Sequence, residues 1–449
     1  MSYRYKLIIS FFLFLYTLTI FLPGAYSIDS WNQWNEVTGK HFDDWYGTGL
    51  ATSWRLLWIL TGNYMCLYVT QMFLYWTFIT LLIWKMRFRK FAYWLTLGAA
   101  LFFCFIPQYV MRDSLTVLAW GIASLLLLYA CEIEKYRRLL AILSLLLLAY
   151  GVWVRINAFI ALLPLIYAAI LLMEKEKQAL WKRLLLTVGA TLALLVGIQL
   201  FTYKIQKADK TFPDYKLKLL DLSGISMLSG ENLFPPAINN YHLFNLDTLF
   251  SKYTPASIDD IYWPENHQSI FPYPNDSLDN AVTGSYRSAI LHHPFLYLEN
   301  RFNGFLYYLR IRKRFSSDEY WNVAAFTILP NNSLGLRMEN TKLKTRIIAA
   351  YGHFYRTFIF DPWFWLLLNM GGLALFTRRY VKRPASESLY WLTHAIIQLS
   401  GILFTFSQLL IYQHDRDFRY NYWNVFVTFI ALAGAFAAKR QGTGFKPAP

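Results

Sequence analysis

The chain has 449 residues, of which 56% are hydrophobic and only 16% charged. Soluble globular domains carry about 25% charged residues, so the composition argues against an ordinary soluble protein. The net charge of +16 would suggest nucleic acid as the partner of a soluble protein. Here the basic residues lie beside apolar runs, as in membrane proteins, and no nucleic-acid partner is expected. The three cysteines show no spacing typical of a disulfide framework or a metal site.

Apolar runs predict an all-α polytopic membrane protein, because several of them reach the roughly 20 residues needed to cross a bilayer. We predict about ten transmembrane helices, at 6–24, 64–84, 91–108, 114–131, 139–154, 157–173, 184–203, 360–377, 387–411 and 421–438. The fifth and sixth come from one long run that Arg155-Ile156-Asn157 interrupts. Residues 24–27, which follow the first apolar run, resemble a signal-peptidase site. We prefer a first span that is retained.

Charge asymmetry predicts the orientation of these spans. With the amino terminus in the cytoplasm, the cytoplasmic segments carry twenty Lys and Arg residues and the short outer segments carry six. Both termini are therefore expected in the cytoplasm, and short loops favour a bacterial inner membrane.

Three regions follow from this topology. Residues 1–203 form a transmembrane core with a first outer loop at 25–63, and residues 360–449 form the last helices and a short cytoplasmic tail. Residues 204–359 are more polar and rich in proline. They predict a loop-rich, partly helical extracytoplasmic domain over the membrane.

Four polar clusters fall on the outer side by this count. In chain order they are Asp29 with Asp43 and Asp44, Arg112 with Asp113, Arg155 with Asn157, and Arg416 with Asp417, Arg419 and Tyr420. Each has a structural explanation: a capped interfacial helix, a helix dipole, a snorkelling arginine or a solvated loop. Their convergence on one side favours a site.

The residue types in these clusters indicate a particular chemistry. Arginine suits bidentate binding of phosphate. A carboxylate at the membrane edge suits proton abstraction from a hydroxyl, since partial desolvation is expected to raise its pKa. Together they predict a lipid-phosphate substrate that enters from the bilayer and reacts at the outer surface.

In the order and placement of these residues, the chain resembles the GT-C superfamily of integral-membrane glycosyltransferases. Asp29 directly follows the first span, and Asp43-Asp44 lie farther along the same loop. The chain is also similar to bacterial membrane proteins that share the Arg112-Asp113 pair, the Arg155-x-Asn157 step and the segment Asp417-Phe418-Arg419-Tyr420. Many relatives carry His-Pro after the second acidic residue, where this chain has Trp45-Tyr46.

The resemblance implies a GT-C-like fold and transfer of a hexose or pentose from a polyprenyl-phosphate donor to a glycan, lipid or protein acceptor. Asp29 would be the general base, and Asp44 would orient the acceptor or assist. Arg155, Arg416 and Arg419 would hold the departing phosphate. The supporting residues would be Asp43, Arg112, Asp113, Asn157, Asp417 and Tyr420.

No cofactor is expected. Some relatives use a divalent cation at an Asp-x-Asp pair, but Asp43 and Asp44 are adjacent and their side chains diverge. Two other functions stay open: a polysaccharide polymerase, and a flippase or transporter of lipid-linked oligosaccharides. Transporters usually place polar residues near the bilayer midplane in paired repeats, and no repeat is visible here.

Overall fold

The structure of the chain is a computed structural model that describes residues 3–39, 41–86, 90–174, 178–262, 269–312, 341–355, 357–410 and 417–437. These residues are all-helical and contain isolated bridges but no strand. The first ten helices are α1 (Tyr3–Ile20), α2 (Ile28–Gly39), α3 (Thr48–Thr61), α4 (Cys66–Lys85), α5 (Lys90–Phe102), α6 (Phe105–Gln108), α7 (Arg112–Glu132), α8 (Arg137–Val154), α9 (Phe159–Met173) and α10 (Leu180–Leu200).

Ten further helices complete the described chain. They are α11 (Tyr215–Ser229), α12 (Pro236–Asn239), α13 (Leu246–Lys252), α14 (Asp259–Tyr262), α15 (Asp276–His292), α16 (Pro294–Tyr308), α17 (Lys342–Phe354), α18 (Pro362–Lys382), α19 (Ala385–Leu410) and α20 (Tyr422–Ala437).

Membrane residence is supported by seven helices that are long and apolar enough to cross a bilayer. They cover Cys66–Lys85, Phe91–Gln108, Arg112–Glu132, Glu134–Val154, Ile156–Met173, Leu180–Ile205 and Glu387–Leu410. The other three predicted spans coincide with α1, α18 and α20, which are not among the seven, so the count of ten stays a prediction. The long run at 139–173 divides into two helices, as expected, with a 3₁₀ turn at Ile156–Ala158 between them.

The centre of the bundle is α7, which packs against α4, α8, α19 and α20. Its approach to α8 is close because Gly151 has no side chain: a Cβ there would lie 2.4 Å from Trp120 Nε1. The Trp120 indole instead donates to Leu148 O at 3.1 Å. This contact brings the first turn of α7 against the last turn of α8, where two of the predicted clusters lie.

Within the 204–359 segment, residues 212–262 and 269–297 share a hydrophobic core of their own. Tyr215, Leu219, Phe234, Val282 and their neighbours bury it between α11, α13 and α15. The segment rests on the bundle through α16, whose Phe305 and Tyr308 pack with residues of α18, α19 and the turn before α20. We call the side of the bundle that bears α2, α3 and this segment the loop face.

Candidate functional site

Asp29 is held at the start of α2 by local contacts. Ser27 Oγ accepts a hydrogen bond from the backbone N–H of Ser30, as in a helix N-cap. Ser30 Oγ donates to Val110 O at 2.6 Å, and Val110 N donates to Ala25 O at 3.0 Å. The entry to α2 is therefore tied to the segment just before α7, which fixes Asp29 beside the second predicted cluster.

The Asp29 carboxylate contacts residues from two distant segments. Its Oδ2 lies 2.8 Å from Arg419 Nη1, and its Oδ1 accepts from the Tyr46 hydroxyl at 3.2 Å. Tyr46 Oη in turn accepts from Asn32 Nδ2 at 3.0 Å. Because 22% of the Asp29 side chain stays exposed, a substrate hydroxyl could reach it.

Arg419 joins several groups of the site. Its Nε lies 2.8 Å from Asp417 Oδ2, and its Nη2 donates to Tyr420 Oη at 3.2 Å. The backbone carbonyl of Tyr420 accepts from the Tyr308 hydroxyl of α16 at 3.2 Å. The guanidinium beside Asp29 is therefore connected to the segment that covers the loop face.

The pKa of Asp29 differs from the sequence-based expectation. Burial raises it, as expected, but the guanidinium groups of Arg419 and Arg112 and the hydrogen bonds from Arg419 and Tyr46 lower it more. The net pKa lies below the ordinary value for aspartate, so the expected rise is wrong. The sequence could not show this, because it did not indicate that Asp29 and Arg419 form an ion pair.

Arg155 and Asp113 form a buried ion pair between α8 and α7, with exposed side-chain fractions of 3% and 2%. Arg155 Nε also donates to Asn157 Oδ1 at 3.1 Å. The guanidinium lies 5.1 Å from the centre of the Tyr420 ring. Arg155 is thus engaged by protein groups and supports the residue next to Arg419; its predicted role as a phosphate ligand stays a prediction.

Asp44 is also engaged by its neighbours. Its Oδ2 accepts from the Tyr203 hydroxyl at 2.6 Å, and its Oδ1 accepts from the backbone N–H and the hydroxyl of Thr211 at 2.7 and 2.6 Å. These bonds tie the first loop to the start of the 204–359 segment. Asp43 Oδ1 instead accepts from Trp45 N at 2.9 Å, so the two adjacent carboxylates have different environments.

Arg112 holds the loop that carries Tyr46. Its Nη1 donates to the backbone carbonyls of Trp45 and Tyr46 at 3.3 and 3.1 Å, and its guanidinium lies 5.4 Å from the centre of the Tyr46 ring. It therefore positions the hydroxyl that bonds to Asp29, besides lowering the pKa of that carboxylate.

The structure brings most of the predicted residues to one region of the loop face. Arg419 and Arg112 lie near the Asp29 carboxylate, and Asp417 and Tyr420 contact Arg419. The Arg155–Asp113 pair, with Asn157, supports this group through the Tyr420 ring, whereas Asp44 faces the 204–359 segment. Arg416 lies outside the described residues.

Some contributors were not predicted from the sequence. Tyr46 gives no signal in the sequence that distinguishes it from other interfacial tyrosines. Gln33 and Glu36, also buried on α2, follow Asp29 by four and seven residues, and that helical spacing could have indicated them.

No group of three or more His, Cys, Asp or Glu side chains within the described ranges is placed to hold a metal ion. No protein-family model, curated protein or solved structure matches the chain. Its function therefore has to be inferred from the geometry of its own residues.

Proposed function

We propose that the protein is a GT-C-type glycosyltransferase, which moves a sugar from a polyprenyl-phosphate donor to a hydroxyl of a cell-envelope acceptor at the loop face. The observation that carries the proposal is the contact of Asp29 with Arg419 and Tyr46 at a partly exposed position. A carboxylate and a guanidinium side by side at the membrane edge match the two tasks of this reaction: removing a proton from a hydroxyl and holding a phosphate.

In the proposed reaction, Asp29 accepts the proton of the acceptor hydroxyl. The acceptor oxygen forms a bond to the anomeric carbon, and the bond from that carbon to the phosphate oxygen breaks. The electron pair leaves with the polyprenyl phosphate, and the anomeric configuration inverts. Arg419 stabilises the charge that develops on the departing phosphate, which lowers the barrier.

The Asp29–Arg419 ion pair explains why the donor should bind before Asp29 becomes an effective base. Without donor, the guanidinium groups of Arg419 and Arg112 keep the pKa of Asp29 low, and the carboxylate is ionised but a weak base. A donor phosphate that takes over Arg419 removes part of this stabilisation. The pKa of Asp29 then rises, and the carboxylate becomes a stronger base only when the donor is in place.

The test is turnover of defined donors by the full-length protein in lipid nanodiscs. Undecaprenyl phosphates bearing single hexoses or pentoses are supplied one at a time, and release of undecaprenyl phosphate is followed. We expect one donor to be consumed by transfer or slow hydrolysis. No release from any donor by folded protein, in the presence of a mixed glycan acceptor, would contradict the proposal.

A second candidate, a flippase for lipid-linked oligosaccharides, is favoured by polar side chains buried between α18, α19 and α20. Asn424 bonds to Asn369 at 2.7 Å, to Thr405 at 2.7 Å and to Asn421 at 2.9 Å. Polar groups inside a bundle can mark a substrate path, although hydrogen bonds between helices also stabilise such bundles. Movement of a fluorescent lipid-linked oligosaccharide across proteoliposomes that contain the protein would favour this candidate.

A further inference from the structure

The polar face of α2 extends beyond Asp29. Gln33 and Glu36 follow Asp29 by four and seven residues, so the three side chains share one face of the helix. On the opposite side, Trp34 packs against Trp54 and Trp58, with ring centres 5.0 and 5.6 Å apart. The aromatic side therefore anchors the helix, and its polar side belongs to the same region as the candidate site.

Gln33 and Glu36 are buried without hydrogen-bond partners. Gln33 is 0% exposed and Glu36 is 7% exposed. Neither amide atom of Gln33 and neither carboxyl oxygen of Glu36 has a hydrogen-bond partner. Buried polar groups in native proteins almost always have a partner, so two such side chains on one face of a helix indicate a ligand that supplies one.

The charge state of Glu36 limits what that ligand can be. Burial raises the pKa of Glu36 to about 9, the nearby Asp43 raises it further in the same direction, and Arg112 opposes this rise. At neutral pH the carboxyl group is therefore protonated and both donates and accepts hydrogen bonds. The amide of Gln33 does the same. An uncharged set of donors and acceptors suits a neutral ligand rich in hydroxyl groups rather than a cation or a phosphate.

We propose that Gln33 and Glu36 bind the hydroxyl groups of a sugar ring whose reacting end lies at Asp29. At about 1.5 Å of rise per residue, Gln33 lies about 6 Å and Glu36 about 10 Å along the helix from Asp29. A sugar that reacts at Asp29 would therefore place its remaining hydroxyls along this face. The assignment of the reacting end depends on the proposed function; the binding of a sugar by Gln33 and Glu36 does not.

Binding to three kinds of probe tests this inference on the full-length protein in nanodiscs. The probes are undecaprenyl phosphate, undecaprenyl phosphates bearing single hexoses or pentoses, and free methyl glycosides of the same sugars. If the site holds the sugar of the donor, the protein should bind a sugar-bearing lipid more tightly than undecaprenyl phosphate. If it holds the sugar of the acceptor, the protein should bind a methyl glycoside instead.

Two substitutions at Glu36 separate hydrogen bonding from charge. Glu36→Leu should weaken binding of the preferred sugar-bearing probe about tenfold or more, which corresponds to about 1.4 kcal/mol, and should leave undecaprenyl phosphate binding unchanged. Glu36→Gln should retain most of the affinity, because an amide also donates and accepts. Asn35→Leu, on the exposed side of the same helix, is the matched control and should have no effect.

The outcomes distinguish this inference from the proposed function. Unchanged affinity of folded Glu36→Leu for every sugar-bearing probe would overturn the sugar site and show that only water occupies it. An equal loss in Glu36→Gln and Glu36→Leu would also overturn it, because it would require a charged carboxylate. Wild-type protein that binds methyl glycosides through Glu36 but neither binds nor consumes the lipids would keep the sugar site and refute the proposed transfer.

Discussion

The hydrogen bond from Tyr46 to Asp29 offers a precise perturbation of the proposed base. Tyr46→Phe removes the hydroxyl that donates to Asp29 Oδ1 at 3.2 Å, while the ring beneath the Arg112 guanidinium is kept. Because the hydroxyl stabilises the charged form of Asp29, its removal raises the pKa of that carboxylate.

The size of this shift follows from the geometry. A hydrogen bond to a charged group contributes about 1.5–3 kcal/mol, and the length of this one, with Asp29 partly exposed, places it at the lower end. About 1.5 kcal/mol corresponds to roughly one pKa unit at 1.36 kcal/mol per unit. The Asp29 carboxylate is the active form of a base, so the acid limb of the pH–rate profile should move upward by about one unit.

The assay is single-turnover transfer from saturating amounts of the consumed donor, measured between about pH 3 and pH 8. Under these conditions the profile reports the donor-bound protein, in which the pKa of Asp29 is proposed to rise. Tyr203→Phe is the matched control, because it removes a tyrosine hydrogen bond from the neighbouring carboxylate Asp44 at 2.6 Å. Its acid limb should coincide with that of the wild type. An acid limb in Tyr46→Phe that also coincides with the wild type would refute Asp29 as the titrating base.

Three further predictions concern stability, measured by unfolding in detergent micelles. The pKa of Glu36 is about 9 in the folded protein and 4.5 for the free side chain, so the folded state loses stability as the pH rises from 4.5 towards 9. Glu36→Gln removes this loss and should stabilise the protein by about 3 kcal/mol at pH 7 and hardly at pH 4. Arg155→Met leaves Asp113 buried without its partner and should cost about 3–5 kcal/mol, and Asp113→Leu added to it should recover part of the loss. Thr211→Val removes one donor from the Asp44 carboxylate and should cost about 1.5–3 kcal/mol, as for other hydrogen bonds to charged groups, without loss of transfer. The reasoning on Glu36 is wrong if Glu36→Gln changes the stability equally at pH 4 and pH 7. The reasoning on Arg155 is wrong if Arg155→Met is as stable as the wild type, and that on Thr211 is wrong if Thr211→Val loses transfer.

Much of the fold could be predicted from the sequence because the bilayer imposes a length on apolar helices. The interruption at Arg155-Ile156-Asn157 predicted the division between α8 and α9, since one straight helix could not cover the whole run. Alternation of spans also placed distant clusters on one side of the membrane, and Asp29 does meet Arg419, 390 residues along the chain.

Lateral neighbours could not be predicted in the same way, because alternation of spans assigns a side of the membrane but not an adjacent helix. The ion pair of Arg155 with Asp113, for example, follows from the close contact of α7 and α8; the phosphate-binding role of Arg155 stays a prediction. The partners of Asp44 could not be predicted either: Tyr203 lies at the end of the seventh predicted span and Thr211 at the start of the 204–359 segment. The role of Asp44 towards the acceptor stays a prediction.

The burial of Glu36 was missed for a related reason. An amphipathic helix in an outer loop normally turns its polar side to water, so the sequence alone gives no reason to expect Glu36 to be buried. In the structure Gln33 and Glu36 are buried on the polar side, where Asp29 accepts a hydrogen bond from Tyr46, and Trp34 packs against Trp54 on the aromatic side. Spacing from Asp29 indicates a shared face but could not show that Gln33 and Glu36 are buried on it.

The central claim is that Asp29 is the base of a sugar transfer, and the pair Asp29→Asn and Asp44→Asn tests it most directly. Both substitutions neutralise a carboxylate of the same loop without changing its shape. Transfer from the consumed undecaprenyl-phosphate sugar should be abolished in Asp29→Asn and retained in Asp44→Asn, with both proteins folded. Transfer that survives in Asp29→Asn, or is lost only in Asp44→Asn, would contradict the account.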